Sequence, residues 1–367
     1  MTPPETTRPV GRIQTLTALL MLAVVATVVG GLETISRSKS VDTWLNRMNE
    51  DSCRQTRTLL EHFGYFDSPD EQWLYEELPR VDFSRGGVYF IGASDVQFST
   101  KLWELSPDLQ ALVHNFAISA SNHKGELAEL RYLIEQRGML RAGGEKSLVV
   151  LGVSSETARY PSQSLPPAFV DNWERQGLFV CDPQAGIRAV PVNTVSKFLD
   201  FEEMRLARCL SRFNTVIAHQ IKRWRHHGTE PPRRFNGSLY ADIRRGEMGP
   251  DWREKIGEAT GTFRELVDYL KAQHVQIRVI LMPRASWDDS VPFDQEYDRQ
   301  IVAVCAEKQI PVSDWSSLLT DDEFANNNHP NVFGMKKVQS VFLDVAVPFL
   351  RSTHALAPAQ SERNQPE

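Results

Sequence analysis

A chain of 367 residues with 41% hydrophobic and 24% charged residues is long enough for one large core and too apolar for a disordered chain. A net charge of −6 at pH 7 argues against a broad basic nucleic-acid-binding surface. The four cysteines, Cys53, Cys181, Cys209 and Cys305, form no CxxC pair and no Cys/His ligand spacing, so a zinc module is excluded, and no metal or cofactor is expected.

Residues 1–12 read as a disordered cytoplasmic tail. Thr15 to Leu32 carries no charge and is mostly apolar. At about 1.5 Å per residue it spans roughly 27 Å, and residues 13–35 are expected to form a transmembrane anchor. A cleaved signal peptide would have a shorter apolar stretch and a small-residue cleavage site; Val29-Gly30-Gly31-Leu32-Glu33 is a poor one. Arg8 and Arg12 before the span balance Arg37 and Lys39 after it, so charge does not fix orientation. If the following domain lies outside the cytoplasm, a disulfide is permitted. Cys181 and Cys209 flank one insertion and would be the pair; four ordinary thiols are the alternative. Residues 36–86 are polar and helical in character, a stalk with Trp44, Trp73 and Tyr75 as docking points.

From residue 87 short β-branched runs alternate with helical stretches. Strands are expected at 88–91, 112–118, 147–153, 276–282 and 310–312, and helices at 126–136, 252–273 and 294–308. Continuous apolar strands separated by helices imply an α/β fold, a flavodoxin-like doubly wound parallel sheet over residues 87–350. Residues 156–250 interrupt the alternation and read as an insertion over the strand ends. They hold a basic, aromatic stretch, Lys222-Arg223-Trp224-Arg225-His226-His227, then Arg233-Arg234 and Arg244-Arg245. A solvated helix face explains these charges; a surface for an anionic polymer, lipid head groups or a membrane partner is the alternative. Residues 351–367 read as a disordered tail.

Ligand sites in such sheets form at the carboxyl ends of strands. The first strand ends in Gly92-Ala93-Ser94-Asp95, which exposes a serine hydroxyl at the start of the next helix. The second ends in Asn115 to Asn122. Far downstream, Asn326-Asn327-Asn328-His329-Pro330-Asn331 precedes the last helix, and His329 there can reach Ser94 as its base. His114 is expected in the core, His123 is either core or cleft, and Arg284 is either surface or cleft. The acidic clusters Asp288-Asp289 and Asp321-Asp322-Glu323 lack partners for a metal site.

In order and context these motifs resemble the SGNH/GDSL hydrolase superfamily. In particular they look like its membrane-anchored branch, to which, or to whose relatives, the lipoteichoic-acid D-alanylation protein and accessory proteins of alginate and cellulose O-acylation belong. The resemblance covers roughly residues 87–155 and 275–345. The resemblance implies Ser94 as nucleophile, His329 as base and Asn326 where the family has an orienting aspartate. It implies Ala120 in place of an oxyanion-hole glycine, and Ser154 as a partial substitute for the asparagine donor of the third block. Asn122 is a further substrate-binding candidate. Asp321 or Asp322 are candidates to replace the missing carboxylate. It also implies an envelope protein of the cytoplasmic membrane, with its domain on the periplasmic or extracellular side. Such a protein would assist O-acylation of an exported polysaccharide or other envelope polymer beside a multi-pass membrane-bound O-acyltransferase, with no nucleic acid involved. A deacylating esterase and a non-catalytic adaptor or carbohydrate-binding module are the alternatives. A reporter fused after residue 60 is expected to be exported; a cytoplasmic signal there would overturn the envelope placement.

Overall fold

The computed structural model describes residues 10–36, 40, 78, 81–100, 105–174, 179–182, 186–189, 217, 221, 237–287, 291–324 and 328–354. The chain divides into two units, Met1–Gln55 with Thr194–Arg225, and Thr56–Asn193 with His226–Glu367. In the first, α1 (Val10–Ser36) contains an 18-residue stretch, Thr15–Leu32, of mean hydropathy 2.2 with none of it buried. By length and composition it can cross a membrane. The Thr27 and Thr34 hydroxyls donate back to the Ala23 and Gly30 carbonyls, at 2.7 and 2.8 Å, so these two hydroxyls are satisfied within α1. The stalk's docking residues and the basic stretch 222–227 lie outside the described residues.

The second unit is built on apolar runs too short for helices and rich in Val and Ile. These form β1 (Gly87–Ile91), β2 (Val113–Asn115) and β3 (Ser147–Val153). A two-stranded antiparallel ribbon follows, β4 (Phe179–Asp182) and β5 (Gly186–Ala189). Then come β6 (Gln276–Leu281) and β7 (Val312–Asp314). The main sheet is parallel throughout, in the order β2-β1-β3-β6-β7. Counted along the chain within that sheet, this is the doubly wound order of flavodoxin-like folds, with its switch point between β1 and β3.

Alternate strand residues feed two cores. Tyr89, Ile91, Val149, Leu151 and Val279 pack with α4 (His123–Arg131), α7 (Trp252–Ala272) and α8 (Pro292–Lys308). Val88, Phe90, Val150 and Ile280 pack with α9 (Val332–Thr353). The apolar stripe of α9, Val338, Phe342, Val345, Ala346 and Phe349, follows the helical period. Phe342 meets Phe90 edge-on at 4.4 Å and Trp315 at 5.2 Å. The remaining helices are short: α2 (Ser94–Gln97), α3 (Pro107–Gln110), α5 (Pro167–Glu174) and α6 (Gly237–Met248).

Some boundaries differ from the sequence reading. β7 begins two residues late, because Gln309 ends α8 in the left-handed conformation and the Ile310 N–H closes the helix on the Cys305 carbonyl. The expected helix 126–136 starts at His123 and ends in a π turn, Tyr132–Gln136. α9 continues to Thr353, into the expected tail. Within the insertion, Trp173 packs against Tyr132 and Phe179 at 5.4 and 5.0 Å and anchors that segment to the core. The Arg244-Arg245 pair is not one solvated face. Arg245 pairs with Asp242 on the surface, whereas Arg244 is buried and bound by Glu156 and Asp294. Cys181 and Cys305 are free thiols, and Cys209, the partner expected for Cys181, lies outside the described residues.

Glu129 of α4 is buried, and neither of its carboxyl oxygens has a hydrogen-bond partner among the described residues. Burial, then the neighbouring Glu126 charge, raises its pKa well above the ordinary 4.5. Above that ordinary value the unfolded chain loses a proton that the fold retains, so this group's effect lowers stability as pH rises. Glu129→Gln is expected to flatten that fall in thermal melts between about pH 5 and 8, gaining on the wild type by about 1 kcal/mol or more. A pH-independent difference would mean that Glu129 is ionised in the fold.

Candidate active site

Two glycines let the ends of β1 and β3 close on α2. A Cβ on Gly92 would lie 2.4 Å from Val96 Cγ2 and 2.8 Å from the Gly152 carbonyl oxygen. One on Gly152 would lie 2.3 Å from the same methyl. Only bare backbone lets Val96 seat there, and its seating fixes Ser94 at the first position of α2, half-exposed over the switch point. The Asn115 amide donates to the Val96 carbonyl (3.0 Å) and to Thr100 (2.9 Å), tying the end of β2 to the same turn.

The segment after β2 runs on beside β1. The Phe116 N–H donates to the Phe90 carbonyl and the Ile118 N–H to the Gly92 carbonyl, at 2.8 and 3.1 Å. Ser119 donates to Gln97 of α2 at 2.8 Å. These bonds carry Ala120 to the neighbourhood of Ser94. Ala120 has φ of 59°, the left-handed region in which its Cβ is strained. That conformation favours glycine, the residue the resemblance expects at this position. No acceptor among the described residues takes the Ser94 or Ala120 N–H.

The H-P-N-x-x-G motif has a mechanical reading. Pro330 closes a bridge with Phe324. Asn331 caps α9, accepting from the Phe333 and Gly334 N–H groups at 2.9 and 3.1 Å. A Cβ on Gly334 would lie 2.4 Å from the Glu323 carbonyl oxygen, so the loop and helix start meet only through glycine. This clamp points His329 at Ser94, with Nε2 2.9 Å from the serine Oγ. Phe98 lies edge-on to the imidazole at 5.0 Å. Burial, and then the Arg159 charge, pushes the His329 pKa down to about 4. His329 is therefore neutral at pH 7, the form that can accept a proton.

The other candidates separate. Asn326 lies outside the described residues. Asn122 is no substrate ligand: it is 1% exposed, caps α4 through Gly125 N–H at 2.9 Å, and donates to the Pro161 and Ser164 carbonyls. The Ser154 hydroxyl is buried with no hydrogen-bond partner among the described residues, so it does not face a substrate. Asp95 is itself buried; burial raises its pKa to about 6, against the Val96 N–H. Asp321 is no substitute for the missing carboxylate, because its oxygens take the Ser286 N–H and hydroxyl at 2.8 and 2.6 Å. Asp322 is exposed, and its carbonyl accepts from Asn331. His123 is core, bound on both nitrogens by Glu126 (2.7 Å) and Tyr297 (2.6 Å). His114 is core too, stacked on Tyr89, with burial pushing its pKa to about 4. Arg284 pairs with Asp298 and lines a polar cleft of about 520 Å³ that does not include Ser94 or His329. Among the described residues no His, Cys, Asp or Glu cluster could hold a metal.

The sequence reading missed Arg159, half-exposed after β3, and the buried partners of its turn, Arg244 and Tyr297. A lone arginine in an insertion carries no spacing signal.

No protein-family model and no curated protein matches the chain. Among solved structures it is similar to a "putative acylhydrolase" from Bacteroides fragilis NCTC 9343. The likeness has 12% identity and a TM-score of 0.38, covering 78% of this chain and 100% of that one. The α/β assignment rests on the parallel sheet itself.

Ala120→Gly removes the Cβ strain while keeping the backbone N–H. It is expected to raise stability by roughly 1 kcal/mol, read as a higher denaturant midpoint at unchanged slope. A lower midpoint would place Ala120 in an unstrained conformation.

Proposed function

We propose that this is an envelope-anchored, serine-type acyl-transfer protein whose working pair is Ser94 and His329. The observation that carries this reading is the 2.9 Å contact between Ser94 Oγ and His329 Nε2 at the carboxyl end of the sheet. Ser94 Oγ attacks the carbonyl carbon of an ester while its proton passes to His329 Nε2. The carbonyl oxygen becomes an oxyanion facing the Ser94 and Ala120 N–H groups. The bond to the alcohol breaks, and that alcohol leaves with the proton from Nε2. A second hydroxyl then attacks the acyl-serine, gives its proton to Nε2, and Ser94 takes that proton back as it leaves. A sugar hydroxyl as second acceptor gives O-acylation of an exported polysaccharide or other envelope polymer; water gives deacylation.

The weakness of the base slows transfer and hydrolysis alike. A histidine pKa of about 4 in place of 6.5 disfavours the imidazolium by roughly 3 kcal/mol. Such a pair is slow on dilute esters. It suits an acyl group delivered locally, as by a multi-pass membrane-bound O-acyltransferase beside a protein held by α1. The same weakness favours, as second reading, a non-catalytic adaptor of that acyltransferase.

Ser94→Ala is expected to abolish polymer acylation and labelling by a serine-reactive phosphonate while leaving the melting temperature nearly unchanged. The acid limb of kcat/KM on a small activated ester is expected near pH 4, where His329 gains its proton, in place of the 6.5 of a solvated imidazole. Full acylation by Ser94→Ala would leave the adaptor reading alone.

A further inference from the structure

Beyond the carboxyl ends of β6 and β7 lies a cleft of about 520 Å³, within the roughly 300–1,000 Å³ of small-molecule sites. The Arg284 N–H donates to the Ser316 carbonyl at 3.0 Å and the Ser286 N–H to the Asp321 carboxylate at 2.8 Å, so the segments that line it are tied to one another. Ligand pockets are mostly apolar, because buried apolar area supplies much of their affinity. In this one Leu319 is the single apolar residue of the described lining. The other side chains there are hydroxyls, carboxylates and the Arg284 guanidinium.

Two of the hydroxyls are held in place. Ser286 Oγ donates to Asp321 at 2.6 Å, and Ser316 Oγ to Asp314 at 2.7 Å. A hydroxyl has one proton and two lone pairs, so each of these presents an oriented acceptor to the cleft. The Ser317 hydroxyl and the Asp322 carboxylate are exposed in the lining and make no hydrogen bond among the described residues. Arg284 is paired with Asp298. The described lining therefore offers acceptors in excess of donors and suits a ligand rich in O–H groups. An anionic ligand would be repelled by Asp321 and Asp322. A cationic one would gain an exposed ion pair with Asp322, which adds little. A neutral sugar fits both conditions, and its ring holds the hydroxyls in fixed directions, the match for fixed acceptors.

The wall of this cleft also supports His329. The turn Asp321–Glu323, whose first two residues line the cleft, receives the His329 clamp on its carbonyls. The Asn331 N–H donates to the Glu323 carbonyl at 2.8 Å, and the Asn331 amide to the Asp322 carbonyl at 2.6 Å. Phe324, next after the turn, bridges to Pro330, next after His329. One hydrogen-bonded unit thus carries both the cleft wall and the imidazole. We infer that the cleft is a saccharide subsite, holding a neutral sugar unit of the polymer that receives the acyl group. Its part in transfer rests on the Ser94–His329 reading; its binding of sugar does not.

The test uses the full-length protein in a detergent without a sugar head group. Binding of maltotetraose, cellotetraose, tetragalacturonate and a glucosamine tetramer is followed by saturation-transfer NMR on the Ser94→Ala protein. A neutral tetrasaccharide is expected to bind saturably, the anionic one about 10-fold more weakly or not at all, and the cationic one no more tightly than the neutral. Ser317→Trp sets a bulky ring in the cleft from an exposed position and is expected to abolish binding at an unchanged melting temperature. Ser286→Ala removes one held acceptor and is expected to weaken binding about 3-fold or more. Absence of neutral-sugar binding, preference for tetragalacturonate, or binding untouched by both variants would overturn the subsite. A second arm supplies 4-nitrophenyl acetate to the protein with Ser94 intact and the bound tetrasaccharide as acceptor. The ratio of acetylated tetrasaccharide to free acetate, read by mass spectrometry, is expected to fall in Ser317→Trp. Sugar binding lost in the variants, with no ester turnover by the unmutated protein, would keep the subsite and overturn the Ser94–His329 reading. Ester turnover without sugar binding would do the reverse.

Discussion

Everything in the candidate site depends on one close approach. β1 and β3 converge at their carboxyl ends because Gly92 and Gly152 present bare backbone to Val96. A methyl on either glycine would overlap the Val96 side chain, which has packed core on its other side. Val96 would then lift α2, and Ser94 with it, away from His329. The 2.9 Å contact between serine and histidine is thus set two residues before the nucleophile and on the neighbouring strand. His329 arrives from 235 positions away through a second clamp of the same kind, Gly334 against the Glu323 carbonyl. Two rigid elements meet at the switch point of the sheet, and each is aligned by a contact that tolerates no Cβ.

Legibility in the sequence followed the physics that dominates each segment. β1 and β3 are continuous runs buried on both faces; β3 was readable over its whole length and β1 in all but Gly87. Ser94 and His329 were readable because both sit where motif residues do local structural work, a glycine turn and an asparagine cap. The apolar stretch of α1 was readable from composition, although the helix begins at Val10, inside the expected disordered tail. Residues 112–118 are a case in between. Formal pairing ends at Asn115, whose side chain bends to accept the Ala117 N–H, yet the backbone keeps donating to β1.

What could not be read is polar and long-range. Nothing in the order of residues says that Arg244 is buried while Arg245 is exposed, since both belong to one run of basic residues. The partners of Arg244, Glu156 and Asp294, lie 88 and 50 positions away. His123 could be read as core or cleft because it follows the second strand-end segment; the first turn of α4 rotates it inward to Tyr297. Apolar periodicity reports which face of an element is buried. It does not report which polar groups are buried with it, because each such group is admitted by one specific partner.

Several departures from local preference sit at the carboxyl ends of the strands; others, such as the left-handed His274 and Gln309 and the buried Glu129, lie elsewhere. Ala120 occupies a left-handed position that favours glycine. Asp95 keeps one carboxyl oxygen buried without a hydrogen bond, and the Ser154 hydroxyl beside it is buried likewise. His329 is desolvated at a pKa near 4 with a cation nearby. Each feature costs about 1 kcal/mol or more on its own. The apolar face under α9, by contrast, packs by simple helical period. A sequence drifting toward stability alone would replace Ala120 with glycine and Asp95 with an apolar residue, since neither change needs a new partner. Strain held together at one end of a sheet, beside an aligned hydroxyl and imidazole, is where a fold gives up stability for geometry.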